Sequence, residues 1–337
     1  MIFTIALCAN RIQLTLIEFA GTVLPMIPPA SNRLGNDSAS KTRGILQLCA
    51  AMLIIPILDV FAKLLGQALD PVEVTFMRFV MQILLMAPLV IWARQWHVPA
   101  GTLMMQFARG ILLAIATVFF FAALQHLPLA EAISIYFVQP LILTALSALF
   151  LGEQIRQRRI IAIIIGLFGV VMILQPSIVI FGAPALFPLA TALAMAGYVT
   201  ITRRLAGKAH PFQMQFIVGI TATIALGTTM LIGQMFDLAG TGFIMPNAQQ
   251  FEWIIYMGIV ATIGHIFIVW AANNAPASVL APFQYTEIIS SVILGYLVFG
   301  DLPAKSTILG VCIIVGCGIY LFHRERIAAQ EDRQAGR

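Results

Sequence analysis

Ionisable residues are scarce in this chain of 337 residues: Asp, Glu, Lys and Arg make up 10% of it, against 60% hydrophobic. A soluble domain carries roughly a quarter of its residues as charges, so a conventional water-solvated surface is excluded. Cysteine is scarcer still, at positions 8, 49, 312 and 317 with no CxxC spacing. That removes a disulfide or cysteine-metal framework, and these residues read as packing groups. There is no HExxH, no GxSxG and no His/Cys/Asp cluster at ligand spacing. The single Gly-Lys pair at 207–208 has no P-loop around it, and VFGD at 298–301 lacks the first glycine of an intramembrane GxGD protease motif. A membrane enzyme and an ATP-driven pump therefore lack their signatures, and no catalytic residue, cofactor or metal is expected.

What the chain does have is long apolar runs. Ten of them are wide enough for a bilayer, near 45–66, 72–93, 103–124, 130–151, 158–175, 184–206, 212–233, 252–273, 278–299 and 305–322. A spanning helix needs about 20 mostly apolar residues. Barrel strands would be shorter and strictly two-periodic, so the expected fold class is an all-α integral membrane protein with ten transmembrane helices. Lys and Arg collect on the cytoplasmic side of short loops. Here they precede the first span (Arg33, Lys41, Arg43) and follow the second (Arg94), fourth (Arg156, Arg158, Arg159), sixth (Arg203, Arg204, Lys208) and tenth (Arg324, Arg326), with Lys305 as the exception. Both termini are expected in the cytoplasm. The net charge of +5 follows from that placement, and nucleic acid is not an expected partner. Residues 1–43 form an N-terminal extension, read either as an amphipathic segment or as an over-extended start with Met26, rather than Met1, as the initiator. Residues 324–337 form a cytoplasmic tail.

Shifted by 148 residues, the chain matches itself without a gap from 110–153 to 258–301. Gly110 falls on Gly258, Phe119 on Phe267, Pro128 on Pro276 and Gly152 on Gly300, while Glu153 meets Asp301. Each half, 44–176 and 184–323, then holds five spans, and an odd number inverts the second half in the membrane. Inverted repeats characterise secondary transporters, whose halves rock around a central site.

The same residues, LPLAEAISIYFVQPLILTALSALFLGE with GLFGVVMIL and then APASVLAPFQYTEIISSVILGYLVFGD with GVCIIVGCGIYLF, resemble the EamA type of the drug/metabolite transporter superfamily. The resemblance covers about 44–322 and implies a ten-helix carrier of small organic metabolites in the bacterial inner membrane. The family's helix-centre proline is present as Pro140, but Ile288 replaces it in the second half behind QYTE. That variant resembles the subgroup that includes riboflavin and S-adenosylmethionine carriers.

Each ionisable group at mid-membrane costs roughly 2.5–3.5 kcal/mol and needs a partner or a watery cavity. Asp59 and Lys63 lie one turn apart on the first span, in line with Pro56 and Gln67. They are read either as a self-neutralised pair or as a stripe on the substrate path. Arg78 either snorkels outward or turns inward to meet an acid. Arg109 and Glu131 sit near span ends and are expected to anchor at the interface. Gln284, Glu287 and Ser291 share a face of the ninth span, with Tyr136 and Gln139 on its repeat mate. Glu287 has no cation at helical spacing, so His265, Lys63 or Arg78 must serve it, or else a proton. His265 is otherwise a helix-to-helix hydrogen-bonding group. The crowded aromatics are Phe119, Phe120, Phe121, Tyr136, Phe137, Trp270, Phe283 and Tyr285. Most are read as packing, and two that flank a cavity are candidates to sandwich a flat heteroaromatic, with Gln139, Gln284 and Tyr285 bonding its edge. The expected function is alternating-access transport, with riboflavin uptake first. The alternatives are S-adenosylmethionine or another metabolite, or export of an amino acid or drug. The expected partners are that metabolite and the bilayer, with a homodimer left open.

Overall fold

The computed structural model describes residues 38–94, 98–99, 101–151, 157–205, 209–238, 240–275, 280 and 283–334. The Met26 start, Gly152 with Glu153, and the 207–208 pair lie outside the described residues, as do the side chains of the 324–337 tail. Described helices are α1 (Ser38–Leu65), α2 (Pro71–Trp92), α3 (Leu103–Leu124), α4 (Leu129–Tyr136), α5 (Gln139–Leu151), α6 (Gln157–Phe181), α7 (Phe187–Leu205), α8 (Pro211–Met235), α9 (Ala248–Asn274), α10 (Thr286–Leu294) and α11 (Lys305–Gln334). No strand occurs among the described residues. That is the expected result for a chain whose backbone must satisfy itself inside hydrocarbon. Seven helices are long and apolar enough to cross a membrane, and three shorter apolar ones, Leu129–Leu143, Thr286–Phe299 and Lys305–Tyr320, accompany them.

Two of the shorter helices trace to local interruptions. Pro140 has no N–H to give the Tyr136 carbonyl four residues earlier, and the helix stops at Tyr136 and restarts at Gln139. The matching point of the second half, Tyr285, is also a turn, set between helical Phe283–Gln284 and α10, although Ile288 replaces the proline. Beyond α10, a π-helical segment, Gly295–Phe299, is closed by Gly300 at φ +75°. Only glycine adopts that left-handed conformation without strain, and it leads the chain directly into Asp301.

The packing has a two-fold pattern. α1 against α9 is matched by α7 against α3, and α2 against α9 by α8 against α3. α1 against α10 is matched by α7 against α4 and α5, while α2–α8 and α6–α11 are their own counterparts. The repeated glycines explain two of these crossings. A Cβ on Gly110 would lie 2.5 Å from the Thr221 Cβ, and one on Gly258 would lie 2.5 Å from the Met81 Cβ. The missing side chain lets α3 approach α8 and α9 approach α2. The outer faces carry exposed Leu84, Trp92, Ile164, Phe168 and Leu231, as lipid-facing helices require.

Candidate functional site

Pro56 begins the construction of the site. It lies inside α1 and cannot donate to the Met52 carbonyl, and Ser290 of α10 supplies that bond at 2.8 Å. The bond fixes α10 against α1, which carries Asp59 one turn after the proline. Because α10 restarts after the Tyr285 turn, Glu287 falls in the first turn of a helix. A carboxylate there meets the partial positive charge of unpaired backbone N–H groups. This placement gives a physical reason for a carboxylate so deep in an apolar segment.

Five sequence-predicted residues from five different helices converge: Asp59, Arg78, Tyr136, His265 and Glu287. Arg78 acts electrostatically on Asp59 and His265, Asp59 acts on Glu287, and both acids act on Tyr136. Asp59 and Arg78 are each 4% exposed. Arg78 therefore turns inward rather than snorkelling, with its guanidinium 4.5 Å from the Phe79 ring centre and its Nε and Nη1 without hydrogen-bond partners. Asp59, Arg78 and Glu287 make no direct ion pair with one another. His265 Nδ1 lies 2.7 Å from the Ala261 carbonyl, which can only accept. The proton is thereby fixed on Nδ1 and Nε2 is left free. An aromatic wall borders the group, with ring centres 6.0 Å apart for Phe120–Tyr136, 5.6 Å for Tyr136–Phe137 and 5.2 Å for Phe137–Tyr285.

Other expectations need correction. Lys63 does not neutralise Asp59. Near the end of α1, its flexible stem carries the ammonium to Asp301 Oδ2 at 3.1 Å and the Leu127 carbonyl at 3.0 Å, with the Phe299 ring 4.7 Å away. Arg109 is not an interfacial anchor. It is 2% exposed, and its Nε and Nη2 donate to Thr202 Oγ1 at 2.8 Å and the Tyr198 hydroxyl at 3.0 Å. Glu131 is also buried and accepts a hydrogen bond from Ser177 Oγ.

The remaining candidates are distributed around the cluster. Gln139 is buried at the start of α5. Ser291 donates within its own helix to the Glu287 carbonyl at 2.6 Å. Trp270 packs edge-on to Phe267 at 5.4 Å, in the apolar cluster between α1 and α9. Tyr285 fills the space left by Gly318 of α11, and Gln284 is exposed. Gln82, Tyr198 and Gln215 went unnoticed in the sequence. Gln82 carried a signal, since it follows Arg78 by one turn on the same face of α2.

A helical bundle with a buried, incompletely paired set of charges where several helices meet is the arrangement of a membrane carrier. The chain matches the EamA-like transporter family over residues 42–175 and again over 182–323, and it belongs to that family. It is similar to an S-adenosylmethionine uptake transporter of Rickettsia prowazekii (strain Madrid E), 25% identical over 86% of this chain and 96% of that one. A pseudopaline exporter of Pseudomonas aeruginosa is 27% identical over 81% and 94% of the two chains. An uncharacterised transporter of Helicobacter pylori (strain ATCC 700392 / 26695) is 28% identical over 82% and 94%. The crystal structure of another protein superposes with a TM-score of 0.57 at 20% identity over 82% of this chain and 95% of that one, a likeness of fold. This is a multi-pass membrane protein of a transporter family.

Proposed function

We propose that the chain moves a small cationic metabolite across the bacterial inner membrane by alternating access, with S-adenosylmethionine as its substrate. The observation that carries this reading is the charge inventory of the site: two carboxylates, buried Asp59 and half-buried Glu287, accompany one buried guanidinium, Arg78, and no direct ion pair closes the set. With all three ionised, one negative charge is left over inside a low-dielectric bundle, and that is costly. A proton on either carboxyl, or a bound cation, removes the cost. A substrate cation and a proton therefore compete for the same charge, which is a means of coupling one flux to the other.

S-adenosylmethionine suits such a site group by group. Its sulfonium and ammonium meet the two carboxylates, its carboxylate meets the unpartnered Nε and Nη1 of Arg78, and its adenine has the Tyr136–Phe137 wall to lie against. The relatives named for S-adenosylmethionine uptake support the choice. In this reading ten spans form two inverted halves, 44–176 and 184–323, with both termini cytoplasmic. The repeat-matched helix contacts and the two broken spans support it.

The aromatic wall favours a second reading, riboflavin, the flat and uncharged substrate expected first from the sequence. The two are separated by measuring entry of labelled S-adenosylmethionine and labelled riboflavin into cells with and without the full chain. Entry of the first alone is expected. Gene-dependent entry of riboflavin alone, or of neither, overturns the proposal.

A further inference from the structure

A second polar cluster lies beyond the central one, where α2, α3, α7 and α8 meet. Arg109 is its centre, and among the described residues no carboxylate forms an ion pair with it. Its Nη1 is buried without a hydrogen-bond partner. Tyr198, which accepts from Arg109 Nη2, is turned toward Gln215 Oε1 at 3.4 Å, and Gln82 Nε2 donates to the Gln215 carbonyl at 3.1 Å. Gln82 Oε1 and Gln106 Oε1, the latter one turn before Arg109, are buried acceptors with nothing to accept. Tyr198 also lies within electrostatic reach of Arg78. Each of the two guanidiniums, Arg78 and Arg109, thus keeps an unused buried N–H, and the Tyr198 phenol bonds the second of them.

A clamp that only tied α3 to α7 would need the bonds to Thr202 and Tyr198 and no more. The unused donor, facing no acid, is what a transient anion requires, because an uncompensated buried charge is costly until one arrives. We propose that Arg109, with Tyr198 and Gln82, is a second binding station for the substrate's carboxylate, which passes from Arg78 to Arg109 along the transport path. This rests on the reading of the chain as a carrier of a carboxylate-bearing metabolite, and it adds a site the central cluster does not contain. The shared chemistry is an anionic oxygen group, and a lipid phosphate is the competing source.

The test is a binding measurement that does not use S-adenosylmethionine, so it can fail or succeed independently of substrate identity. The full chain is purified in detergent, and its thermal unfolding is followed against sodium acetate at constant ionic strength. Parallel titrations use sodium phosphate and vesicles of phosphatidylglycerol or of phosphatidylcholine alone. The expected result is saturable protection by acetate that persists in Arg78→Gln and needs about tenfold more acetate in Arg109→Lys, which keeps the charge but loses the fork. Gln106→Glu places a carboxylate one turn from Arg109. It is expected to keep or raise the melting temperature without ligand while abolishing the Arg109-dependent acetate response. The wild-type comparison with Gln106→Glu stands even where an arginine variant fails to fold. Acetate protection unchanged in Gln106→Glu, or protection by phosphatidylglycerol vesicles and not by acetate, overturns the proposal.

Discussion

Two groups of charges in this protein are handled in opposite ways. Lys63 and Asp301 meet at 3.1 Å, and a backbone carbonyl and an aromatic ring complete the lysine's surroundings. Asp59 and Arg78 are buried and form no direct ion pair with each other or with half-buried Glu287, and guanidinium N–H groups stay unused. A fold that needed charges only as fasteners would pair all of them as it pairs the first two. In the proposed reading the incomplete set is where something mobile completes the pairing, whereas the completed pair ties the end of α1 to the chain beyond α10.

The largest expected effect breaks the central set. Glu287→Gln and Asp59→Asn each remove one carboxylate, so that the other only balances Arg78 and the cationic substrate has no counter-charge. Uptake of labelled S-adenosylmethionine should fall on the order of a hundredfold with membrane levels intact, since stranding a buried charge costs several kcal/mol. Wild-type uptake in both variants would return these acids to a fastening role. Next comes Arg78→Lys, which keeps the charge and loses the two-pronged geometry. Its apparent KM should rise about tenfold while folding is preserved, and an unchanged KM would remove Arg78 from the site.

A pair of glycine variants sharpens the comparison between the halves. Gly110→Ala and Gly258→Ala each place a methyl group against the facing helix, at Thr221 and Met81, and should each lower stability by about 1–3 kcal/mol. A large effect at one and none at the other, in thermal unfolding of the purified chain, would show that the matched crossings are not equivalent. The smallest effect belongs to the completed pair. Its side chains are 16% and 32% exposed, so Asp301→Asn should cost no more than about 1 kcal/mol. A loss of transport as large as that of Glu287→Gln would erase the distinction between the two groups.

The all-helical membrane class was legible in the sequence, because apolar length reports directly on what a bilayer demands. Asp59, Arg78, Tyr136, His265 and Glu287 stood out for the same reason, as polar groups where hydrocarbon penalises them. Partners were not legible. Lys63 lies one turn from Asp59, yet its ammonium bonds Asp301, 238 positions away. Helix spacing describes neighbours on one helix, whereas a four-carbon stem at a helix end reaches whatever packs beside it. Arg109 was misplaced for a related reason. Distance from a helix end suggests an interface, but α7 and α8 close over that end. The break at Tyr285 had no proline to announce it, and with it went the reason Glu287 sits at a helix start.

The central claim is that a proton and a cationic metabolite compete for the excess negative charge shared by Asp59 and Glu287. It is tested most directly in liposomes containing the purified full chain and loaded at acid pH, by following entry of labelled S-adenosylmethionine from neutral medium. Uphill accumulation is expected, lost when the proton gradient is collapsed and absent in Glu287→Gln. Accumulation that is indifferent to the gradient, or unchanged in Glu287→Gln, would contradict the account.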